Sequence, residues 1–233
     1  GTDTANYSTS TSSVTVNLST GTATGGAGTD TLSGIENITG SQSNDTLTGD
    51  SANNTISAGS GNDTVIGGDG NDVLDGGGGT DTLSYSTAGA GVTVNLSTNS
   101  ATGGAGNDTV TNFEYVTGGA YDDVITGNSG TNLLIGGAGN DTLNGLGGGD
   151  TLEGGLGDDT IIGGDGTDTV TYSSSTSAVN VDLAAGTATG GAGNDTLVTV
   201  DNVTGSNYND VIAGNTGNNT INAGSGNDSV DGG

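Results

Sequence analysis

Residues 136–144 read GGAGNDTLN, and the same nine-residue pattern returns as GGDGNDVLD at 67–75 and as GGDGTDTVT at 163–171. It can be written G-G-x-G-x-D-x-U-x, in which U is a large aliphatic residue. Contiguous copies fill residues 40–84, 118–171 and 205–231, and single copies begin at Gly25, Gly103 and Gly190. A fixed short period of this kind is the signature of a stacked repeat architecture.

Each nonapeptide combines a turn with a short strand. The triplet x-U-x has the out-in-out alternation of a strand, and U is Leu, Ile or Val in every copy from Leu32 to Val230, which predicts a core position. The six residues G-G-x-G-x-D predict a turn, because glycine accommodates positive φ. Two such units make a coil of about 18 residues, so the pattern predicts an all-β, right-handed parallel β-solenoid.

A longer repeat starts with GTDT at Gly1, Gly79 and Gly166 and divides the chain into residues 1–78, 79–165 and 166–233, the last being incomplete. Each long repeat begins with an 18-residue spacer, at 7–24, 85–102 and 172–189. The spacer equals one coil in length, so we expect it to continue the stack and the three repeats to form one continuous solenoid. The spacer tyrosines Tyr7, Tyr85 and Tyr172 are predicted to be packing residues.

Composition excludes most chemistry. The 233 residues include 27 Asp and Glu but no Lys, Arg, His or Cys, so the formal net charge is -27. Disulfides, thiolate nucleophiles, imidazole ligands and cationic phosphate sites are therefore absent, and the anionic chain would repel nucleic acid. No apolar run approaches the ~20 residues of a membrane helix. We therefore expect neither an enzyme, nor a nucleic-acid partner, nor a membrane span.

The carboxylates need a neutralising partner from solution. Stacked coils place the Asp of one nonapeptide above the Asp two nonapeptides later, where bare carboxylates repel. A hard divalent cation removes this repulsion, and Ca²⁺ suits carboxylate and carbonyl oxygens in a flexible coordination shell better than Mg²⁺ does. The sequence thus predicts that calcium binds between coils.

These nonapeptides resemble the repeats-in-toxin (RTX, haemolysin-type) calcium-binding family, and the resemblance covers nearly the whole chain. It implies a calcium β-roll with multiple Ca²⁺ ions, roughly one for each well-matched nonapeptide. It also implies that each ion is shared between nonapeptides n and n+2, with backbone carbonyls of the first four positions completing the shell. The aspartates marked as metal ligands are Asp30, Asp45, Asp63, Asp72, Asp81, Asp108, Asp123, Asp141, Asp150, Asp159, Asp168, Asp195, Asp210 and Asp228. The marked backbone carbonyls are those of Gly59, Gly61, Gly67, Gly68, Gly70, Gly77, Gly79, Gly136, Gly137, Gly139, Gly154, Gly155, Gly157, Gly163, Gly164 and Gly166.

The nonapeptide copies differ in how well they match the G-G-x-G-x-D-x-U-x motif. The best pairs are Asp63 with Asp81, Asp141 with Asp159 and Asp150 with Asp168, followed by Asp45 with Asp63, Asp123 with Asp141 and Asp210 with Asp228. The second nonapeptide of each run carries Asn54, Asn132 or Asn219 instead of Asp, and we expect these coils to bind weakly or not at all. Ser43, Tyr121 and Tyr208 replace the position-four glycine of the first nonapeptide.

Simpler interpretations remain for some residues. The position-six aspartates could be turn formers, although the number of in-frame copies argues against it. Glu36, Glu114 and Glu153 are better explained as solvated surface acids than as a glycosidase pair. Threonine recurs at position seven and predicts an outward ladder that stabilises cross-strand packing, with an ice-facing or glycan-facing surface as the alternative.

The functional prediction is a calcium-binding structural segment of a secreted or bacterial cell-surface protein, such as an adhesin stalk, a surface layer or an extracellular filament. Calcium would drive its folding outside the cell, and the resemblance implies type I secretion. Partners would be calcium ions, further copies of the chain end to end or side by side, or cell-surface glycans. Two alternatives stay open, namely an accessory secretion and folding domain of an RTX exoenzyme or toxin, and an ice-binding or carbohydrate-binding solenoid.

Overall fold

A computed structural model describes residues 1–26 and 28–233, and within these residues it contains strands and turns but no helix. No helix long and apolar enough to cross a membrane occurs in this part of the chain. The chain forms two compact units, Gly1–Thr117 and Gly118–Gly233. The boundary lies inside the second long repeat, and the grouping of the three long repeats into one solenoid stays a prediction.

The first unit contains two sheets. Its strands are β1 (Thr4–Asn6), β2 (Val14–Asn17), β3 (Thr22–Gly25), β4 (Gly28–Thr31), β5 (Asn37–Thr39), β6 (Thr46–Thr48), β7 (Thr55–Ser57), β8 (Thr64–Ile66), β9 (Val73–Asp75), β10 (Thr82–Ser84), β11 (Val92–Asn95), β12 (Ser100–Gly103), β13 (Gly106–Thr111) and β14 (Tyr115–Thr117). One sheet has the order β1-β5-β7-β9-β13-β12-β11, and the other has the order β14-β10-β8-β6-β2-β3-β4. Consecutive nonapeptides therefore alternate between the sheets.

The second unit repeats this arrangement. Its strands are β15 (Val124–Thr126), β16 (Leu133–Ala138), β17 (Thr142–Gly148), β18 (Thr151–Leu156), β19 (Thr160–Gly166), β20 (Thr169–Thr171), β21 (Val179–Asp182), β22 (Thr187–Gly190), β23 (Gly193–Val198), β24 (Asn202–Thr204), β25 (Val211–Ala213), β26 (Ile221–Asn222) and β27 (Ser229–Asp231). The sheet orders are β15-β17-β19-β23-β22-β21-β25-β27 and β26-β24-β20-β18-β16.

Strand register confirms the 18-residue coil. Ile56 pairs in parallel with Leu74, and Leu143 pairs in parallel with Ile161, each 18 residues further along the chain. The aliphatic U residues of the contiguous copies from Leu47 to Ile212 are buried, as at Leu47 and Leu152, because their side chains point between the two sheets. The chain is thus an all-β parallel β-solenoid within each unit, as predicted.

Three predicted core positions are not buried. Leu32 and Ile221 are only half-buried, and Val230 is 52% exposed. Val230 lies on β27, which is the last strand of its sheet order and is paired on one side, with β25. An edge strand lacks the second neighbouring coil that would cover its aliphatic side chain.

The spacers continue the stack, as expected, through their first strand: β2 pairs in parallel with β6, and β21 pairs in parallel with β25. Each spacer then folds back on itself, which the sequence did not predict. In the second long repeat, β11 pairs antiparallel with β12, and β12 pairs antiparallel with β13, which then pairs in parallel with β9. The reversal occurs at a tight turn in which the side chain of Asn95 accepts the N–H of Thr98 and Asn99 has φ of 57°. Asn tolerates this left-handed conformation, so the spacer folds back as a hairpin.

Candidate metal centre

The position-six side chains form a ladder along each unit. The backbone N–H of Asp141 donates to Oδ1 of Asp159 at 2.8 Å, and the N–H of Asp45 donates to Oδ1 of Asp63 at 2.7 Å. The same bond joins the other predicted pairs, namely Asp63 with Asp81, Asp150 with Asp168, Asp123 with Asp141 and Asp210 with Asp228. Twelve of the fourteen predicted aspartates are buried, and Asp30 and Asp228 are half-buried.

A second ladder at position five runs in the opposite sense. The N–H of Asn62 donates to Oδ1 of Asn44 in the previous coil, and the N–H of Asp158 donates to Oδ1 of Asn140. The side chain at position five therefore accepts an N–H from the coil that follows, whereas the side chain at position six accepts an N–H from the coil that precedes. The two ladders together hold the turns of neighbouring coils in register, which explains why Asn recurs beside the motif aspartate.

Seven position-six aspartates bury a carboxylate oxygen that has no hydrogen-bond partner among the described residues. We call them the open aspartates, and they are Asp63, Asp72, Asp81, Asp141, Asp150, Asp159 and Asp168, in each case through Oδ2. In every one of their nonapeptides, position two has a positive φ, from 73° at Leu146 to 118° at Gly137. In three of these copies the N–H of position two donates to another side chain, namely to Asp75, Asn144 or Thr199.

Backbone carbonyl oxygens lie beside the open carboxylate oxygens. A Cβ added to Gly136 would collide with Oδ2 of Asp141 and would lie 2.6 Å from the carbonyl oxygen of Gly154. The carbonyl oxygen of Gly163 has the same relation to Gly145, at 2.5 Å. Gly154 and Gly163 are carbonyl ligands implied by the family resemblance, and the structure places their oxygens around a space that only glycine leaves open.

Other implied carbonyls contact protein instead. The carbonyl of Gly59 accepts the N–H of Gly78 at 2.9 Å. A Cβ on Gly155 would overlap the carbonyl oxygen of Gly137, so this oxygen faces the Cα of the next coil at close range. The parallel pairing of β16 with β18 also continues through this turn, from Gly137 with Gly155 to Ala138 with Leu156. Among the implied position-one carbonyls, those of Gly154 and Gly163 thus lie beside open oxygens, whereas those of Gly67 and Gly136 lie beside the side chains of Asn54 and Asp123.

Burial changes the acidity of the open aspartates. Desolvation raises the pKa of Asp159 to about 7, against the lowering effect of the N–H of Asp141, and the nearby carboxylate of Asp195 raises it further. The same cause raises the pKa of Asp72, Asp81, Asp141 and Asp150 to about 6. These carboxylates therefore carry their charge at a cost that a bound cation would remove.

The first two nonapeptides of each run satisfy their own position-six side chain. The N–H of position two donates to Oδ2 of Asp45, Asp123 and Asp210 at 2.5–2.6 Å. It donates at 2.8 Å to the amide oxygens of Asn54, Asn132 and Asn219. We call these the closed nonapeptides, because the N–H of position two forms a hydrogen bond with the side-chain oxygen that has no partner in the open copies.

The single nonapeptides join the ladder through an interaction that the sequence did not reveal. Oδ1 of Asp108 accepts the N–H of Asp72 at 2.9 Å, while its Oδ2 accepts the hydroxyl of Tyr85 at 2.8 Å. Tyr172 caps Asp195 at 2.9 Å and Tyr7 caps Asp30 at 3.1 Å. The spacer tyrosines are buried, as a packing role requires, but each also supplies a hydroxyl to a motif carboxylate 23 residues away.

Two glutamates predicted to be solvated acids also belong to the ladder. Glu36 accepts the N–H of Asp3 at 2.8 Å and Glu114 accepts the N–H of Asp81 at 2.9 Å. Asp201, which the sequence did not single out, accepts the N–H of Asp168 in the same way. The third glutamate, Glu153, accepts no ladder N–H among the described residues and instead makes an exposed hydrogen bond with Ser174.

The donor set fits a calcium ion better than a transition metal. Among residues 1–26 and 28–233 no three Asp or Glu side chains converge on one point, so a cation here would be held by at most two carboxylates and by backbone carbonyls. Buried carboxylate oxygens without a donor, next to backbone carbonyl oxygens, are ligands for a hard cation such as Ca²⁺. The bound cation would supply the positive charge that the chain lacks.

A sequence profile described as the RTX calcium-binding nonapeptide repeat (4 copies) matches most of the chain. The matched residues are 32–65, 48–83, 96–111, 113–143, 144–174, 185–199 and 204–233. A search of curated proteins finds no match. The matches fall on every contiguous run of nonapeptides and on two of the three single copies.

Proposed function

Because the chain belongs to the RTX calcium-binding nonapeptide repeat family, and so binds Ca²⁺ repeatedly in a β-roll, we propose that it is a structural segment of a secreted or cell-surface protein that folds when calcium binds. The observation that carries this proposal is the set of seven open aspartates, whose Oδ2 atoms are buried without a partner among the described residues. Unpaired buried carboxylates are costly, so the calcium-free fold is disfavoured.

The need for calcium would make folding depend on whether the chain is inside or outside the cell. With a formal net charge of -27 and no Lys or Arg, the chain has no side chain of its own that could neutralise the stacked carboxylates. In a compartment poor in calcium we expect it to stay unfolded, which suits export of an unfolded chain. Outside the cell, millimolar calcium would neutralise the coils and stiffen them, since extracellular modules bind Ca²⁺ with dissociation constants of about 10⁻⁴–10⁻³ M.

The role as an adhesin stalk, surface layer or filament is supported by the repetition of long units without a visible catalytic constellation in the sequence. In such a role the ordered, calcium-stiffened coils would themselves provide the mechanical support. Association of further copies, side by side or end to end, would turn the segment into a layer or filament. An accessory domain of an exoenzyme or toxin would use the same calcium-driven folding but would stay monomeric.

Far-UV circular dichroism with light scattering tests this proposal. Calcium is titrated into the chelator-treated chain, and magnesium is titrated into a matched sample. We expect a cooperative transition from coil to β structure in calcium and little response to magnesium, because Mg²⁺ requires stricter octahedral geometry. A chain that is fully folded in chelator would contradict it. Scattering that grows at the same midpoint indicates a layer or filament, and constant scattering indicates a stalk or accessory domain.

One surface supports a second candidate function. Thr15, Thr46, Thr64 and Thr82 stand in register on neighbouring parallel strands of the first unit. Such a row repeats hydroxyl and methyl groups at the strand spacing of about 4.8 Å. This regular face could bind ice or a glycan. Ice-recrystallisation and glycan-binding assays on the calcium-loaded chain, with Thr64→Lys as the disrupted variant, separate this function from a purely structural one.

A further inference from the structure

Three six-residue links connect the single nonapeptides to the contiguous runs, and they lie outside the nonapeptide pattern. They read GIENIT at 34–39, NFEYVT at 112–117 and TVDNVT at 199–204. Each link nevertheless takes the place of a nonapeptide in the stack. Val116 pairs with Leu83 and Val203 pairs with Val170, in parallel and 33 residues apart instead of 18.

The third residue of each link takes the place of the motif aspartate. Glu114 accepts the N–H of Asp81 through Oε2 at 2.9 Å, and Asp201 accepts the N–H of Asp168 through Oδ2 at 2.9 Å. These are the same bonds that Asp159 makes with the N–H of Asp141 inside a run. The link acid therefore continues the carboxylate ladder where the motif is interrupted.

The partner of each link acid is an open aspartate. Asp81 and Asp168 are fully buried, and within the described residues the Oδ2 atom of each has no hydrogen-bond partner. Their neighbours include a carboxylate, yet no side chain in the sequence carries a positive charge. An unpaired buried carboxylate oxygen with a second carboxylate nearby is destabilising unless a cation or a proton neutralises it.

The first residue of the second and of the third link supplies a carbonyl oxygen. A Cβ on Gly163 would collide with the carbonyl oxygen of Thr199 and would lie 2.6 Å from Oδ2 of Asp168. A Cβ on Gly76 would likewise collide with the carbonyl oxygen of Asn112 and would lie 3.0 Å from Oδ2 of Asp81. These carbonyls stand where the position-one carbonyl of the next coil stands inside a run.

The same backbone conformation recurs at this first residue. Gly34, Asn112 and Thr199 have φ of 64°, 58° and 50°, in the left-handed region. The side chain of Asn112 donates to Oδ1 of Asp75 at 2.7 Å, and Oγ1 of Thr199 accepts the N–H of Gly164 at 2.8 Å. Side-chain contacts thus hold two non-glycine residues in the conformation that presents the carbonyl.

We propose that two links form cation sites outside the nonapeptide motif, one between Asp81 and Glu114 and one between Asp168 and Asp201. Each site takes Ca²⁺ through two carboxylates and the carbonyl of Asn112 or Thr199, a set of hard oxygen ligands. The proposal rests on calcium binding by the rest of the roll. The equivalent pair at the first link, Asp3 with Glu36, is left out because Asp3 is exposed.

Calcium stoichiometry of the full chain tests these two sites. The wild type and the variants Glu114→Gln, Asp201→Asn and their combination are dialysed against calcium and analysed by elemental mass spectrometry, with circular dichroism as the check on folding. We expect each single variant to lose one Ca²⁺ per chain and the double variant to lose two. The amide oxygen that each substitution introduces can still accept the ladder N–H, so the fold should remain.

Two control variants remove the same charge elsewhere. Glu153→Gln matches Glu114→Gln, and Asp182→Asn matches Asp201→Asn, because Glu153 contacts Ser174 and Asp182 caps the N–H of Ala185. Both should bind the wild-type number of ions. An unchanged stoichiometry in the double variant, with calcium still bound to the wild type, overturns the link sites alone. A wild type without bound calcium would instead overturn the proposed function.

Discussion

The first two nonapeptides of each run depart from the motif at position four or position six, and they differ from the nonapeptides that follow in the position-two peptide. In the closed copies its N–H binds the position-six side chain, as Gly119 binds Asp123. In the open copies a positive φ at position two, as at Gly155, leaves Oδ2 of Asp159 without a partner among the described residues. Every open copy keeps glycine at position four and Asp at position six, so departure from the motif and the closed conformation occur together.

The difference has a thermodynamic consequence. A closed copy keeps its polar atoms paired without a cation, whereas an open copy buries an unpaired carboxylate oxygen. We therefore expect the closed copies to stabilise the stack in the absence of calcium and the open copies to depend on it. The predictions below are ordered from the largest expected effect to the smallest.

Acid should have the largest effect on the calcium-free chain, because it acts on all open aspartates together. Burial raises the pKa of Asp72 and Asp141 to about 6 and that of Asp159 to about 7, from the ordinary value of 3.8. A raised pKa means that protonation favours the folded state. This stabilisation is complete below about pH 4 and is lost as the pH rises through 6 to 7.

Circular dichroism of the calcium-depleted chain at pH 4.0 and pH 7.5 measures this effect. We expect more β structure at pH 4.0. The calcium-loaded chain is the control, and it should respond in the opposite direction because protons compete with Ca²⁺ for the same carboxylates. Less β structure at pH 4.0 in the depleted chain would show that the open carboxylates are not destabilising.

Gly155→Ala should cause the next largest effect, a loss of thermal stability. Gly155 has φ of 109°, and an added Cβ would overlap the carbonyl oxygen of Gly137. The strained conformation alone costs about 1–3 kcal/mol, and the overlap with backbone adds to it. Thermal unfolding in calcium should show a clearly lowered midpoint. Gly78→Ala is the control, since no atom of the described residues lies within 4 Å of its Cβ position. Equal midpoints for the two variants would refute the prediction.

Asp159→Asn and Asp210→Asn compare an open with a closed copy directly. Asp159→Asn removes a charged ligand, and we expect the affinity for one Ca²⁺ to fall about 100-fold. Loss of a residue that only hydrogen-bonds to a metal ligand already lowers metal affinity about 10–100-fold. In Asp210→Asn the N–H of Ser206 can still bind the amide oxygen, as it now binds Oδ2 at 2.6 Å. Calorimetric titration should therefore show a much smaller change, and a larger loss in Asp210→Asn would invert the comparison.

Tyr85→Phe should have the smallest effect of these changes, a modest loss of folding stability. It removes the hydroxyl that caps Oδ2 of Asp108 and leaves a buried acceptor unpaired, at a cost of about 1–3 kcal/mol. Chemical denaturation of the calcium-loaded chain measures this loss. Tyr121→Phe is a suitable control because Tyr121 is 47% exposed. If Tyr85→Phe instead gains a bound Ca²⁺ without losing stability, the tyrosine would be a substitute for the ion.

Much of the fold could be predicted because it repeats. The alternation around each U residue and the glycine turns specify strand, turn and coil locally, so the pairing of Ile56 with Leu74 follows from the period. The spacers were different. Their alternating residues predicted strands, but their direction depended on the turn at Asn99, and a single left-handed residue reversed the chain.

The site was predicted only in part for a related reason. The aspartates follow from the motif, and their stacking follows from the 18-residue coil. The Tyr85 cap on Asp108 and the bond from Asp168 to Asp201 span 23 and 33 residues, which are not multiples of the period. Contacts of this kind arise where the spacer interrupts the stack, and no local pattern marks them.

The nine-residue period, the aliphatic core and the unbalanced negative charge are properties of the residues, because each depends on residue type and local spacing alone. The closed copies depart from the motif in sequence, but which side-chain oxygen receives the position-two N–H, and which is capped by tyrosine, depends on how each peptide plane is turned in the folded chain. Tertiary structure settles this because a hydrogen bond to Oδ2 requires one N–H or O–H to reach it, and that geometry is set by neighbouring coils.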